Sequence, residues 1–416
     1  MSKVKEIPVK DYPKYVEIVS KAYPGFGLNS DDDKKKLINR FKEDLRTDKG
    51  LAPYGVYKNK ALIGAIWLMD FSMNVHGRFL NNGGGSMLAV DLKFKKEHTA
   101  KDIMQFFIGH FRKRNFSLAT LYPFRPDFYH RMGFGYGAKI NTYAIKPSDI
   151  PFNVPKKHLV DLDKKDIDAM QACSDRFAKN RHGMFLRRPF EKKRFFRPKH
   201  HNVGYQKGRK LEGYINFIFR EMKGTTSFHQ NLFINEIVWE NREAFIELMS
   251  FLHSQADQVN RVVWPTVLDQ LHFLAVDPRR EEDHIEFLEG HPVNLQGIGI
   301  MHRVIDVEKF FEDVKGHNFG DQSVRVRIDI KDSFLPENSG TRYVDFANGK
   351  VSLKKSGKFD VAIGLDIAEF SSVVLGAVDF KDLYEIGKAD ISDEKYLGTI
   401  NRLFHSDTKP MTLTMF

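Results

Sequence analysis

GGGSMLAVDLKFKKEHTAKDIMQFFIGHFRKRNFSLATLYPFRPDFYHRMGFGYG, residues Gly83 to Gly137, is the stretch that decides the fold. It reads as strand, basic turn, helix, strand, short helix and strand. Ser86–Leu92 is an apolar run of strand length, and Lys93–Thr99 is a turn carrying Lys93, Lys95 and Lys96. From about Ala100 to Arg114, Ile103, Phe106, Phe107 and Phe111 recur at helical spacing. Ser117–Tyr122 is a second strand, and a short helix over Pro126–Met132 stops at Gly133. A basic turn that opens a helix is a seat for polyphosphate, because the first amides of a helix point at an anion and the dipole adds attraction. The same residues also suit a solvated lysine loop, and the turn alone does not separate the two.

Working outward, 416 residues exceed one ordinary core, so two or three domains are expected. The 42% hydrophobic content suits globular cores rather than disorder. Cys173 is the sole cysteine, which excludes an internal disulfide and points to a reducing cytoplasm. It sits in a helical stretch, Ile167–Phe177, where a small buried residue is expected rather than a nucleophile. No apolar run has the length of a membrane span, and the opening MSKVKEIPVKDYPKY has no apolar core of a signal peptide. The net charge of +11 favours anionic partners and says nothing of fold.

Before the central stretch come a short strand, Val4–Ile7, and two helices. Asp11 is the expected cap of Tyr15–Ala22, and Asp31–Asp33 open Lys34–Leu45. A strand Gly55–Lys58 turns at Asn59-Lys60 into a long strand Ala61–Phe71, with a loop expected over Asn74–Asn82. The hairpin GVYKNKALIGAI from Gly55 is echoed by GYQKGRKLEGYI from Gly204, an offset of 149 residues with lysine, leucine and both glycines in step. A strand ending at Trp239, a helix Arg242–Gln258 and a strand Val262–Trp264 follow in the same order as before. This reads as a diverged duplication. The second copy has Trp239-Glu-Asn-Arg in place of the lysine turn, so it is not expected to hold a phosphate.

Arg181–His201 interleaves arginine, lysine and phenylalanine around a single acidic residue, Glu191. Such a run can bind single-stranded nucleic acid; its alternative, with the phenylalanines packed inward, is the expected one. His200-His201 has no partners at metal-ligand spacing, and no HExxH or paired-cysteine site is present. Gly133, Gly135 and Gly137 form a G-x-G-x-G run that follows a helix rather than a strand, which excludes a dinucleotide turn. From residue 299 onward, Ile300–Asp306, Ser323–Lys331 and Val351–Lys354 read as strands, with Asn348-Gly349 as a hairpin turn. Ile367–Leu375, Phe380–Ile386 and Asp393–Phe404 read as helices. The tail, Lys409-Pro-Met-Thr-Leu-Thr-Met-Phe416, is apolar enough to dock rather than fray.

Val90-Asp-Leu-Lys-Phe-Lys95-Lys-Glu-His98-Thr-Ala100 resembles the acetyl-CoA turn of the GCN5-related N-acetyltransferases (GNAT). Lys95 falls on that family's arginine, Ala100 on its last small residue, and His98 on its glycine. Phe128-Tyr129-His-Arg-Met-Gly133-Phe-Gly-Tyr136-Gly137 resembles the corresponding segment of the Eis-type (enhanced intracellular survival) branch. The Met301-His-Arg303-Val-Ile-Asp306-Val run is similar to the opening of the sterol-carrier-protein-like module that ends such chains. The resemblance implies a mixed α/β (α+β) chain: a catalytic GNAT domain over 1–150, a degenerate one over 151–298, and the sterol-carrier-like domain over 299–416.

It further implies a cytoplasmic N-acetyltransferase with acetyl-CoA as co-substrate and no metal. Its acceptor would be a polyamine-like, aminoglycoside-like or lysine-bearing amine. Tyr129 would be the general acid toward sulfur, and the α-carboxylate of Phe416 the general base. Leu88, Ala89 and Val90 would pair with pantetheine, and the amides of Lys95, Lys96, Glu97, His98, Thr99, Ala100 and Lys101 would take the pyrophosphate. Phe124 and Arg125 would flank the cofactor. A closed homo-oligomer, a hexamer among the sizes, is implied as well; membrane and nucleic-acid partners are not. The other reading of the same residues is a CoA- or lipid-binding protein whose transferase site has decayed.

Overall fold

In the computed structural model, residues 4–221, 230–280 and 290–416 are described. In chain order the first part holds β1 (Val4–Glu6), α1 (Tyr12–Ala22), α2 (Asp31–Thr47), β2 (Leu51–Lys58), β3 (Ala61–Val75), β4 (Arg78–Val90), α3 (Thr99–Lys113), β5 (Leu118–Leu121), α4 (Pro126–His130) and β6 (Gly135–Tyr136). The middle holds β7 (Lys139–Ile145), β8 (Leu159–Asp161), α5 (Ile167–Lys179), α6 (Pro189–Lys192), β9 (His201–Lys207), β10 (Lys210–Glu221), β11 (Gln230–Trp239), α7 (Arg242–His253), β12 (Val259–Thr266) and β13 (Asn294–Ile298). The last part holds β14 (Met301–Val304), α8 (Val307–Asp313), β15 (Val324–Lys331), β16 (Gly340–Ala347), β17 (Lys350–Lys354), β18 (Val361–Asp366), α9 (Ile367–Val374), α10 (Phe380–Glu385), β19 (Ala389–Ile391) and α11 (Leu397–Phe404).

These elements form two compact units. One comprises the chain up to Gly137, Gly299–Pro410 and Phe416; the other comprises Ala138–Ile298 and Met411–Met415. The first unit has a sheet ordered β1-β2-β3-β4-β5-β14-β6 and a second sheet ordered β17-β16-β15-β18-β19. The second unit has one sheet, β13-β7-β12-β11-β10-β9-β8. β4 and β5 run parallel, as do β11 and β12, with α3 and α7 as the respective crossovers.

The connectivity differs from a simple reading of the chain at two strands. Lys139–Ile145, inside the 1–150 bounds expected for the first domain, pairs with β12 and β13 in the second unit. Its place beside β5 is taken by Met301–Val304. The stretch Asn74–Asn82, expected as a loop, is strand on both sides of a two-residue turn. His76 and Gly77 take φ of 51° and 83°, and Asn74 Oδ1 accepts from the Gly77 amide at 2.8 Å. Left-handed dihedrals at both positions match the twist of a tight hairpin.

Helix formation follows local chemistry. Ser30 and Asp33 form a reciprocal capping box on α2, and three aspartates lie in its first turn where the dipole favours them. Asp11 precedes α1 but does not cap it through its side chain; its carboxylate instead accepts from the Tyr57 hydroxyl at 2.7 Å. In α3, Ile103, Met104, Phe107, Ile108 and Phe111 are buried against the first sheet. The two glycine pairs of the repeat do equivalent work. A Cβ on Gly64 would lie 2.9 Å from the Thr99 methyl of α3, and one on Gly213 3.2 Å from Ala244 of α7. Each crossover helix therefore approaches its sheet over a glycine.

Candidate active site

β4 and β5 are paired over Asn82–Gly85 and Leu118–Leu121 only. Past Gly85, β4 is bulged: Trp67 faces Ser86 and Ala65 faces Ala89, so Met87 and Leu88 together oppose Ile66. Met87 takes φ of 48° there. A bulge bends its strand and sharpens the twist, and here β4 leaves β5. Beyond it Ala89 and Val90 remain paired with β3, while among the described residues no strand pairs with the other side of Leu88–Val90. The bulge is tied to α1 and the turn after it. Tyr15 donates its hydroxyl to the Met87 carbonyl at 3.1 Å, and Tyr23 donates to the Leu88 carbonyl. Burial pushes the Tyr23 phenol up to about 12, so it donates at neutral pH.

The open edge leads into the basic turn. Asp91 accepts from the Lys93 amide at 3.2 Å, and Lys96 and His98 both lie in the left-handed region, at φ of 68° and 60°. The first bond of α3 runs from Asp102 N–H to His98 O at 3.0 Å. The His98 side chain makes no cap bond to the helix. Among the described residues, the amides of Thr99, Ala100 and Lys101 precede that first bond and have no partner within the helix. Glu97, the one acid in the turn, is drawn off to Lys58 at 2.9 Å. Thr99 is buried, packed over Gly64, and fixes the seat of the helix. His98 stands where the resemblance has glycine, and the turn has kept glycine's conformation. A left-handed non-glycine residue costs about 1–2 kcal/mol.

Tyr129 is carried by α4, which starts at Pro126 and ends at His130, with Gly133 at φ of 79° in the turn that follows. Its ring is buried among Phe124, Phe128 and Phe134, with centroids at 5.9, 5.1 and 6.3 Å. Its hydroxyl, unlike those of Tyr15 and Tyr23, has no hydrogen-bond partner among the described residues. Burial, with a smaller contribution from Tyr23, drives its pKa far above the ordinary phenol value, so it keeps its proton.

Below it, a fully buried Arg303–Asp332 pair at 2.5 Å secures the corner, with Arg303 also donating to the Met132 carbonyl. Sequence reasoning missed that role, although the run containing Arg303 stood out. Phe124 is exposed, edge-on to both Tyr129 and Tyr23. Arg125 points back to Asp127 at 2.6 Å, which leaves its guanidinium committed to an exposed ion pair.

Phe416 places its ring against Phe71 and Tyr122, at centroid distances of 4.8 and 5.3 Å. Tyr122 directly follows Leu121, the last β5 residue paired with β4. The terminal residue thus lies at the fork from which the cleft opens. In the second unit, Met411 donates its amide to His182 O at 2.8 Å and packs with Leu413 in that unit's core. Of this tail Met411 and Thr414 are buried and Met415 is exposed.

The second copy is built differently at the same places. Asn241 caps α7 by accepting from the Ala244 amide at 2.9 Å, so the helix N-terminus is occupied by the chain itself. Glu240 beside it pairs with Arg176 at 2.6 Å and Lys210 at 2.8 Å. β11 and β12 also part, after Phe233 and Val263, but Trp239, Trp264 and Phe245 pack there at centroid distances of 6.2 and 5.2 Å. Arg181–His201 packs inward: Phe185, Phe190 and Phe195 are buried, and Arg187 reaches Glu236 at 2.5 Å. Cys173 is buried with its thiol pushed up by desolvation, which makes it inert. Among the described residues no group of side chains could hold a metal ion, and no helix is long and apolar enough to cross a membrane.

Sequence profiles of acetyltransferase (GNAT) domains match residues 3–137 and 180–291, and that of a sterol carrier protein domain matches 307–413. The chain carries two GNAT domains and a sterol carrier protein domain. Solved structures share the fold of this two-GNAT chain over 100% of both chains. A GCN5-related N-acetyltransferase from Anabaena variabilis ATCC 29413 has TM-score 0.83 at 17% identity. A conserved protein of unknown function from Enterococcus faecalis V583, described as a probable N-acyltransferase, has 0.79 at 18%. Eis1 from Mycobacterium abscessus has 0.78 at 19%. No curated protein matches the sequence. The mixed α/β fold with tandem GNAT domains, expected from the sequence, is the one present.

Proposed function

We propose that the first GNAT domain transfers an acetyl group from acetyl-CoA directly to an amine. The observation that supports this most is the continuous path from the unpaired edge of Leu88–Val90 to the uncapped N-terminus of α3. Pantetheine amides can add to that edge as a strand would, and the pyrophosphate can accept from the amides of Lys95–Lys101, with the turn's lysines adding charge. This order puts the thioester at the bulge, where the Met87–Leu88 backbone leaves the ladder.

The amine nitrogen attacks the thioester carbonyl carbon, the C–N bond forms, and the C–S bond breaks. The proton leaving nitrogen goes to the carboxylate of Phe416, and Tyr129 supplies a hydrogen bond, then a proton, to the departing sulfur. A CoA thiol with a pKa of about 8.5 is a fair leaving group, so no covalent enzyme intermediate is needed. The acceptor classes implied by the family are polyamine-like, aminoglycoside-like or lysine-bearing amines.

The test is an acetyl-CoA-dependent assay over an amine panel, following free thiol and acetylated product together. Equal release of both supports the reading. Acetyl-CoA bound but never consumed with any amine would favour a non-enzymatic CoA-binding protein.

A further inference from the structure

Two glycines of the run from Gly133 to Gly137 lie against α9, a helix of the sterol carrier protein domain that belongs to the same compact unit. A Cβ on Gly135 would stand 2.1 Å from the Ala368 carbonyl oxygen and 2.4 Å from Ser372 Oγ, and one on Gly133 2.7 Å from an Ile367 methyl. Both positions are closed to a side chain, and α9 sits directly on the backbone that follows Tyr129. Ser372 donates its hydroxyl to the Tyr136 carbonyl at 2.9 Å.

The same helix reaches the residue next to Tyr129. His130 Nε2 lies 2.9 Å from Glu369 Oε1, and the His130 ring stacks on Tyr136 at 5.0 Å and 18°. Among the described residues this is the one hydrogen bond from an α4 side chain to another element; Asp127 serves Arg125 and Arg131 close by in the chain. Because α4 is a single turn of five residues, a tie at His130 fixes the backbone that carries Tyr129.

Glu369 is a costly residue for packing alone. Burial pushes its carboxyl up, but the hydrogen bond from His130 and smaller contributions prevail and hold it below its ordinary value, so it is ionised at neutral pH. Its second oxygen, Oε2, is buried with no hydrogen-bond partner among the described residues. An apolar side chain would cover the same contact without stranding an oxygen, and a buried acceptor left in that state calls for a role beyond packing.

We infer that Glu369 is a positioning residue for the acetyl transfer: through His130 it fixes α4, and with it the direction of the Tyr129 hydroxyl toward the departing sulfur. This rests on the transfer reading above, in which Tyr129 is the acid. The sterol carrier protein domain thereby serves the reaction through a side chain of α9.

The experiment is a double-mutant cycle, which isolates the coupling between two residues. Thiol release from acetyl-CoA is followed with spermidine and with kanamycin as acceptors, in the parent, Tyr129→Phe, Glu369→Leu and the double variant. Glu369→Leu should lower kcat about tenfold, within the roughly 100-fold that a misplacement of about 1 Å can cost, at an unchanged KM for acetyl-CoA. Glu369→Gln keeps an acceptor for His130 and should restore most of the rate. In the Tyr129→Phe background, Glu369→Leu should cost nothing further, whereas a residue that merely stabilises the fold would lower the rate by the same factor in both backgrounds. That equal loss, or Glu369→Leu at the parent's rate, overturns the inference and leaves acetyl transfer standing. Tyr129→Phe at the parent's rate, or no thiol release by the parent with either amine, overturns the reading beneath it as well. His130→Phe keeps a ring on Tyr136 without the bond, and takes the place of Glu369→Leu in the cycle if that variant does not fold.

Discussion

Replacing Tyr129 by phenylalanine separates chemistry from packing, because the hydroxyl has no hydrogen-bond partner among the described residues. The ring holds Phe124, Phe128 and Phe134 around it, and all three contacts survive the substitution. Removing a hydroxyl that bonds to none of the described residues leaves no orphaned donor or acceptor among them, so stability should shift by no more than about 0.5 kcal/mol. Turnover should respond otherwise. A donor aimed at charge that develops in the transition state is typically worth about 100- to 1000-fold in kcat. Three measurements are compared: the thermal midpoint, the calorimetric affinity for acetyl-CoA, and the initial rate of thiol release at saturating amine. The first two should be unchanged and the third should fall. Because burial keeps the phenol protonated, the parent rate should not decline as pH rises toward 10, the ordinary phenol value. A variant with the parent's rate would refute the role; one that loses acetyl-CoA binding would make Tyr129 a packing residue.

Four further outcomes follow from named contacts. One glycine appended after Phe416 moves the carboxylate by up to about 3.5 Å; turnover should drop sharply with acetyl-CoA affinity unchanged, and full activity would exclude the terminal carboxylate as base. His98→Gly should relieve the left-handed strain of about 1 kcal/mol and tighten acetyl-CoA binding by calorimetry, since the amides then lie open to the pyrophosphate. Gly133→Ala would drive a Cβ into the Arg303 guanidinium. Breaking its buried pair with Asp332 costs about 3–5 kcal/mol, read as a large fall in melting temperature.

The fourth concerns pH. His302 lies fully buried beside Thr120, its pKa lowered by desolvation from 6.5 to about 4. The unfolded chain therefore binds this proton between those values and the folded chain does not. Its neutral form contributes stability that is complete above pH 6.5 and is lost as pH falls toward 4, by about 3 kcal/mol over the window. His302→Gln should flatten the pH dependence of the melting temperature across that range.

Much of the fold was legible because the residues that set it act locally. Gly64 and Gly213 could be aligned by sequence because each must lack a side chain under the same crossover helix. The lysine turn and the Trp239-Glu-Asn-Arg turn differ in charge, which set the two copies apart as phosphate seats, while the Asn241 cap of the second helix is seen only in the structure. Asn348 and Gly349, at φ of 49° and 73°, form the expected hairpin turn.

Partner choice was not legible. Lys139–Ile145 and Met301–Val304 are both recognisable strands, yet alternation says which face is buried and not which sheet accepts the edge. The cleft itself arises from a bulge at Met87, whose positive φ no glycine or asparagine announces. The Arg303–Asp332 pair joins positions close in sequence, but the Met132 carbonyl it also holds is 171 residues away from Arg303.

The central claim is that one of the two GNAT domains keeps a working cofactor site. Titration calorimetry of acetyl-CoA into the whole chain tests it most directly, with a second titration of Lys95→Glu to introduce an acid in the open turn. The account predicts one site per chain, much weakened by that substitution. No binding, two sites per chain, or one site indifferent to Lys95→Glu would contradict it.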